Sequence, residues 1–173
     1  MELRIREATE ADLPRVLEIT NEAIAHTTAV WSLTPATLET RQAWLAERHA
    51  RGFPVLVAAD AGGQVLGFGS FGEFRPWEGY LHTVEHSVYV DAAARRRGAG
   101  RALLQALIER ARDLGKHAMI GGIEAGNAAS IALHRQLGFE ETGRLPEVGR
   151  KFDRWLDLVF MQKILEQTKR SLS

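Results

Sequence analysis

Residues 94–112 read ARRRGAGRALLQALIERAR. Arg95, Arg96 and Arg97 run into Gly98 and Gly100, and Leu103, Leu104, Leu107, Ile108 and Ala111 then recur at i, i+3, i+4 spacing. That periodicity predicts a helix with one apolar face, beginning near Gly98 and ending at Gly115. Just upstream, TVEHSVYV (83–90) reads as a strand. The stretch is a strand–loop–helix junction with its positive charge concentrated where the helix starts. A helix N-terminus leaves backbone N–H groups unpaired and carries partial positive charge. Glycines there let an anion approach the backbone, and arginines add forked, charge-assisted donors. A phosphate or pyrophosphate suits this junction; a nucleic-acid patch and a plain solvated helix start are the alternatives. A Walker A loop needs Gly-Lys-Ser/Thr where this chain has Gly100–Arg101–Ala102, and a dinucleotide fingerprint needs a third glycine where it has Leu103.

Outward from the junction, the N-terminal side begins with an alternating strand, LRIREA from Leu3. A helix capped by Thr9 follows, with Leu13, Val16, Leu17 and Ala23–Ile24 on its apolar face. Thr34–Pro35 reads as the cap and first turn of a second helix that closes at Gly52. PVLVAAD and QVLGFGSFGEF are strands joined by a hairpin turn at Ala61–Gly63. On the C-terminal side come a strand (HAMIGGIE), a short helix ending at Gly138, and two strand-like runs, FEETGRLPEV and WLDLVFMQKIL. The expected architecture is α/β: a mixed, mostly antiparallel sheet of about seven strands with about four helices. Residues 1–165 read as one domain, and 166–173 as a polar tail.

The bulk composition narrows the function. Lys+Arg and Asp+Glu are 22 each, so the formal net charge is zero, which argues against a dedicated nucleic-acid binder. Cysteine is absent, which excludes disulfides, thiolate metal sites and a cysteine nucleophile. The N-terminus MELRIREATEADL lacks the apolar stretch of a signal peptide, and no run approaches the roughly 18 apolar residues of a membrane span. A soluble, cytoplasmic protein is expected.

Two segments together carry an identification. Arg95–Arg96–Arg97–Gly98–Ala99–Gly100 matches the pyrophosphate loop Arg/Gln-x-x-Gly-x-Gly/Ala, and Asn127 to Phe139 matches N-x-x-S-x-x-L-H-x-x-L-G-F. With these, the sequence resembles the GCN5-related N-acetyltransferase (GNAT) superfamily. NEAIAHTTAVW (21–31), FGEFRPWEGYLHTVEHSVYV (71–90) and VGRKFDRWLDLVFMQ (148–162) are similar to its phosphinothricin N-acetyltransferase branch, within it to enzymes acting on methionine sulfone and methionine sulfoximine. The likeness runs from about Ile5 to Leu165.

The resemblance implies acetyl-CoA as donor and a fold of the same family. The backbone of Val88, Tyr89 and Val90 would pair with the pantetheine arm like an added strand. Backbone N–H groups of the loop Arg95, Arg96, Arg97, Gly98, Ala99, Gly100 and Arg101 would hold the pyrophosphate. Asn127 would hydrogen-bond the cofactor near the pantetheine, and His134 would lie close to the sulfur. A homodimer is usual in this branch, with the C-terminal region supporting the partner.

Acetyl transfer to an amine needs a base for the ammonium, donors for an oxyanion, and stabilisation or a proton for the departing thiolate. Glu85 is the candidate base, directly or through a water; the alternative is that it only positions the ammonium. The Val88 backbone N–H is the candidate oxyanion donor. His134 shares a helix face with Ser130 and is the candidate near the thiol, where many relatives in the superfamily place a tyrosine. It would donate a proton, serve only as a hydrogen-bond partner, or fill a core niche. Arg75 would take the acceptor's carboxylate or phosphinate, Pro76 stiffens its loop, and His86 and Ser87 complete the pocket. Trp77 and Trp31 would wall it, with ordinary packing as their alternative.

His82 and His86 are four apart, but they lie on or beside a strand without a third ligand, so no metal is expected. RARDLGKH (110–117) reads as a solvated helix end. GRKFDRW (149–155) reads as a loop at Lys151–Phe152 near the site's mouth, with Trp155 opening the last strand. The leading reading is an N-acetyltransferase of small amino-acid analogues. A peptide or protein N-acetyltransferase and a non-catalytic acetyl-CoA-binding module are the competing ones; Glu85, Asn127 and His134 together favour an enzyme.

Overall fold

A computed structural model describes residues 2–166. The polar tail expected from residue 166 lies outside the described residues beyond Glu166. In chain order the elements are β1 (Arg4–Glu7), α1 (Leu13–His26), α2 (Leu38–Ala50), β2 (Val55–Ala59), β3 (Val65–Glu73), β4 (Thr83–Val90), α3 (Ala99–Asp113), β5 (Ala118–Glu124), α4 (Ala128–Gln136), β6 (Glu140–Lys151) and β7 (Arg154–Ile164). The strands form one sheet in the order β1-β2-β3-β4-β5-β7-β6. Every neighbouring pair is antiparallel except β4 and β5. The α/β architecture, mostly antiparallel with seven strands and four helices among the described residues, is the one the sequence predicts.

Strand alternation sends side chains to two separate apolar layers. On one face Leu103, Leu104, Leu107 and Ile108 of α3, with Ile131 of α4, pack on Leu56, Phe71, Val84, Met119, Val159 and Met161. On the other, Leu13, Val16 and Ile19 of α1 and Leu45 of α2 cover Val55, Val57, Val65 and Phe68. Both helical stripes follow the i, i+3, i+4 pattern of the sequence.

The N-terminal helix is entered through a 3-10 turn, Glu10–Asp12, held by a capping box. Asp12 accepts the Thr9 N–H (2.8 Å) and a two-pronged pair from Arg6 (2.7 and 2.8 Å). Arg6 holds the Asp12 carboxyl below its ordinary value.

Two local expectations need correction. The cap of α2 is Thr37, whose Oγ1 accepts the Thr40 N–H at 3.2 Å, and Thr34–Pro35 stays outside the helix. The reason is tertiary: Asn21 of α1 binds both the N–H and the C=O of Ala36 (2.8 and 3.1 Å), holding that residue in the connection. Lys151 is not in a loop but ends β6, only 4% exposed. Its Nζ donates to Thr27 O (2.7 Å) and Val30 O (2.6 Å), so two carbonyls just beyond α1 replace water around the ammonium. The reversal itself is Phe152–Asp153, both at positive φ.

Leu107 sits at the middle of the larger layer with no exposed surface. Leu107→Ala is expected to lower unfolding free energy by about 2–5 kcal/mol, as buried leucine truncations do. Urea titration followed by far-UV circular dichroism reads the loss.

Candidate active site

The parallel β4–β5 ladder runs over three pairs, Thr83↔Ala118, Val84↔Met119 and Glu85↔Ile120. Beyond Glu85 the two strands part. β4 stays on β3 up to Val90↔Gly67, while β5 stays on β7 up to Glu124↔Leu158. The edge of β4 from Ser87 to Val90 therefore faces a cleft, where an extended ligand can hydrogen-bond as a strand would. The sequence-predicted residues Val88, Tyr89 and Val90 all lie on this edge.

The β4 chain leads straight into the arginine loop. Asp91 accepts the Ala93 N–H at 2.7 Å and pairs with Arg15 of α1, which pins the start of the turn. Arg95, Arg96 and Arg97 are exposed. Arg96 has φ +64° and Gly98, the N-cap of α3, φ +83°. Left-handed residues next to a helix start turn successive N–H groups toward one side, forming an anion cradle. Gly98 also meets no atom within 4 Å of where a Cβ would be, so the cradle opens outward. Ala99, Gly100 and Arg101 supply the first helical N–H groups. Across the cleft, Asn127 caps α4 by accepting the Ser130 N–H at 3.2 Å. One lone pair of its oxygen is engaged there, and its NH2 can donate to a ligand.

Glu85, Ser87 and Tyr89 share the sheet face covered by α1 and α2; Tyr89 packs there on Phe68 at 5.4 Å between ring centroids. Burial raises the Glu85 pKa, and the charge of Arg75 works against that rise. The Arg75 guanidinium stands 3.9 Å from the Glu85 carboxylate, with both side chains part-exposed. Arg75 is held by stacking on Phe74 (4.1 Å) and by donating to the Phe74 carbonyl (2.7 Å). Pro76 and Trp77 follow in the same exposed loop, Trp77 at 68% exposure.

Trp31 is packed rather than open. Its Nε1 donates to Thr28 O at 2.8 Å, and its ring fills the space a side chain at Gly149 would take. Thr28 also donates to Glu124 at the end of β5 (3.1 Å). With Lys151, these contacts fasten the α1–α2 connection to β5 and β6.

His86 departs from the sequence reading. Its side chain lies on the opposite face from Glu85 and Ser87, buried with His134. The two Nε2 atoms are 2.9 Å apart, with ring centroids 5.1 Å apart and planes 26° from parallel, so the imidazoles meet edge to edge. Phe139 contacts both rings, at 5.4 and 5.0 Å. Strand parity is the cause: residues 84, 86 and 88 face α3 and α4, while 85, 87 and 89 face α1 and α2. His86 thus leaves the acceptor group and joins His134. Burial lowers the pKa of both imidazoles, and for His86 the charge of His134 adds to that. Among the described residues no group of three His, Cys, Asp or Glu is placed to hold a metal ion.

The sequence reading gave Gly121 no role, and Phe139 none beyond closing the Asn127–Phe139 motif. A Cβ at Gly121 would lie 2.7 Å from His86 Cε1 and 3.3 Å from His134 Nε2. The signal was the Gly121–Gly122 pair inside an apolar strand, a mark of close approach.

The sequence profile of the acetyltransferase (GNAT) family matches residues 16–139. The L-methionine sulfoximine/L-methionine sulfone acetyltransferase of Pseudomonas paraeruginosa is 57% identical over 169 residues, covering 98% of each chain. A crystal structure from Brucella melitensis, described as a ribosomal-protein-alanine N-acetyltransferase, is 59% identical with a TM-score of 0.91, covering 94% of this chain and 99% of that one. A GNAT phosphinothricin acetyltransferase from Sinorhizobium meliloti in complex with acetyl-CoA is 36% identical with a TM-score of 0.93, covering 98% and 95%.

Gly121→Ala is expected to push the imidazoles apart and lower stability by about 1–3 kcal/mol, the usual cost of overpacking. Thermal melts compared with those of Gly122→Ala, whose Cβ meets nothing closer than 3.4 Å, check the site.

Proposed function

The chain belongs to the acetyltransferase (GNAT) family, and on that premise we propose that it transfers the acetyl group of acetyl-CoA to the α-amine of a small amino-acid analogue of the methionine sulfone, methionine sulfoximine or phosphinothricin type. The observation that carries the acceptor class is the Arg75–Glu85 pair, 3.9 Å apart at the open side of the cleft. An amino acid presents a carboxylate and an ammonium on one carbon. Arg75 takes the first and Glu85 the second, so a zwitterion replaces the pair's own partners. A peptide N-terminus has the amine without the adjacent carboxylate.

The residues fit acetyl-CoA, which supplies an activated acetyl thioester. The left-handed backbone at Arg96 and Gly98 leaves a cradle for its pyrophosphate, with Arg95, Arg97 and Arg101 adding charge. Val88–Val90 offer backbone pairing along the cleft, and Asn127 its NH2. The Val88 N–H is the donor for charge developing on the acetyl oxygen. Glu85 takes the ammonium proton, directly or through a water. Its raised pKa brings it closer to the operating pH, where a general base works best. Ser87 shares the Glu85 face, and Pro76, Trp77 and Trp31 border the acceptor side. His134, on the far face, stands toward the sulfur.

The Brucella melitensis relative's description supports a second reading, a protein N-terminal acceptor. A homodimer belongs to the proposal as well: Leu145, Val148, Phe152 and Trp155 leave the β6–β7 hairpin with exposed apolar surface for a second copy to cover. A cytoplasmic location is part of the same reading; no described helix is long and apolar enough to cross a membrane.

Thiol release from acetyl-CoA is to be measured with methionine sulfone, methionine sulfoximine, phosphinothricin, common amino acids, a polyamine and an alanine-terminated peptide. Fast release with the amino-acid analogues and little with the peptide is expected; the reverse order would install the second reading. Arg75→Ala should raise KM for the acceptor while leaving that for acetyl-CoA unchanged.

Glu85 sets the pH behaviour. Activity should fall as pH drops through a value above the ordinary glutamate pKa of about 4.3. Glu85→Gln should lose turnover by on the order of 10²-fold and abolish that limb. The same raised pKa means the folded carboxyl binds its proton more tightly than the unfolded one. Its contribution to stability is present at low pH and lost as pH rises through the folded value. Glu85→Gln should therefore melt at a higher temperature than the parent at neutral pH, read by calorimetry.

A further inference from the structure

We infer that His86 is the positioning residue of His134: by donating its Nε2–H to His134 Nε2 it fixes that ring in the Nδ1–H tautomer, so that the two imidazoles act as one unit. The inference deepens the acetyl-transfer reading and rests on it for its kinetic arm.

The assignment follows from what each partner can do. His134 Nδ1 lies 2.7 Å from the Ser130 carbonyl oxygen. A carbonyl only accepts, so Nδ1 carries hydrogen. A neutral imidazole has one N–H, which leaves His134 Nε2 as a bare lone pair. The 2.9 Å contact between the two Nε2 atoms needs one hydrogen, and His86 must bring it. His86 Nδ1 is then the bare nitrogen, buried and without a hydrogen-bond partner among the described residues.

Both rings are held neutral. The groups facing them are Phe71 opposite His86 on β3, Gly121 and the Ile120 backbone on β5, Ser130 on α4, and Phe139. None is charged. Burial works against the imidazolium of each; for His86 the charge of His134 adds to burial, and a contact with the Ile120 backbone opposes both.

This constrains the chemistry open to His134. Its single N–H is given to Ser130 and its lone pair receives from His86, so the neutral ring has no hydrogen to offer a third group. A tyrosine in its place would carry a hydroxyl free to donate. The histidine therefore works through its partner. Its orientation, tautomer and proton affinity are set by a residue on a different strand, 48 positions earlier in the chain. A hydrogen bond received by the neutral form lowers an imidazole's pKa. Removing His86 should raise that of His134.

The test is long-range 15N–1H correlation spectroscopy of the full-length, uniformly labelled protein, with kinetics of two variants. In the parent, His134 should show Nδ1 protonated and Nε2 bare, and His86 the converse. His86→Phe keeps an aromatic ring beside Phe139 without an N–H. It should mix the His134 tautomers, move the His134 titration to higher pH and, with the ring no longer held in one orientation, lower kcat about tenfold at unchanged acetyl-CoA KM. His86→Gln, which restores a donor, should recover much of both effects. A parent spectrum with His134 Nε2 protonated overturns the assignment, as does His86→Phe with parental kcat and an unmoved titration. The spectra need no turnover, so an acceptor panel without activity would count against the acetyl-transfer reading alone. A His86→Phe that does not fold leaves the parent spectrum and His86→Gln to decide.

Discussion

The short parallel ladder between β4 and β5 is the constraint from which the rest of the molecule follows. Parallel neighbours cannot be joined by a hairpin, so the chain must cross over, and α3 is that crossover. The helix has to begin where β4 ends. Topology alone thus brings the free edge of β4, the arginine loop and a helix N-terminus to one end of the sheet. The ladder then stops at Glu85↔Ile120, beyond which β4 follows β3 and β5 follows β7. A cleft bordered by unpaired backbone is the result, and phosphate, amide and acyl recognition can all be arranged along it without deep side-chain pockets.

The cleft separates two chemical environments that strand parity keeps on opposite faces. Glu85 belongs to the α1/α2 side, with Arg75 nearby and solvent at hand. His86 and His134 belong to the α3/α4 side, in an apolar layer closed by Phe139. This is why a carboxylate able to hold a proton and a pair of neutral imidazoles occur within one strand and its neighbours without forming a salt bridge that would silence both.

Much of this was legible in the residues. The apolar stripe from Leu103 to Ala111 gave the crossover helix, and Arg95–Gly100 beside Asn127–Phe139 gave the family. What failed did so for identifiable reasons. Thr34–Pro35 has good capping chemistry, but Asn21 claims Ala36 through contacts 15 residues away and moves the start to Thr37. Lys151 reads as a loop residue because the carbonyls that receive it belong to Thr27 and Val30, more than 100 positions earlier. His86 is the instructive case. Alternation along TVEHSVYV already placed it opposite Glu85 and Ser87, yet grouping 85–87 as one contiguous pocket ignored that parity. The pairing with His134 itself was not readable, since it depends on Gly121 leaving room for two rings.

Burial drives the three titratable groups of the cleft toward the same condition from opposite directions. It raises the carboxyl and lowers the imidazoles, so each favours its uncharged form. Their effects on stability differ in sign. For the imidazoles, the unfolded chain binds protons that the folded one refuses below about pH 6.5, so folding weakens as pH falls through that window. For Glu85 the folded state is the better proton binder, and its contribution weakens as pH rises. At neutral pH the histidines are therefore at rest, while Glu85 is carried at a cost. The charge burden therefore falls on the one carboxylate, while the two buried imidazoles stay neutral. Of the four ring nitrogens in that pair, only His86 Nδ1 is without a hydrogen-bond partner among the described residues.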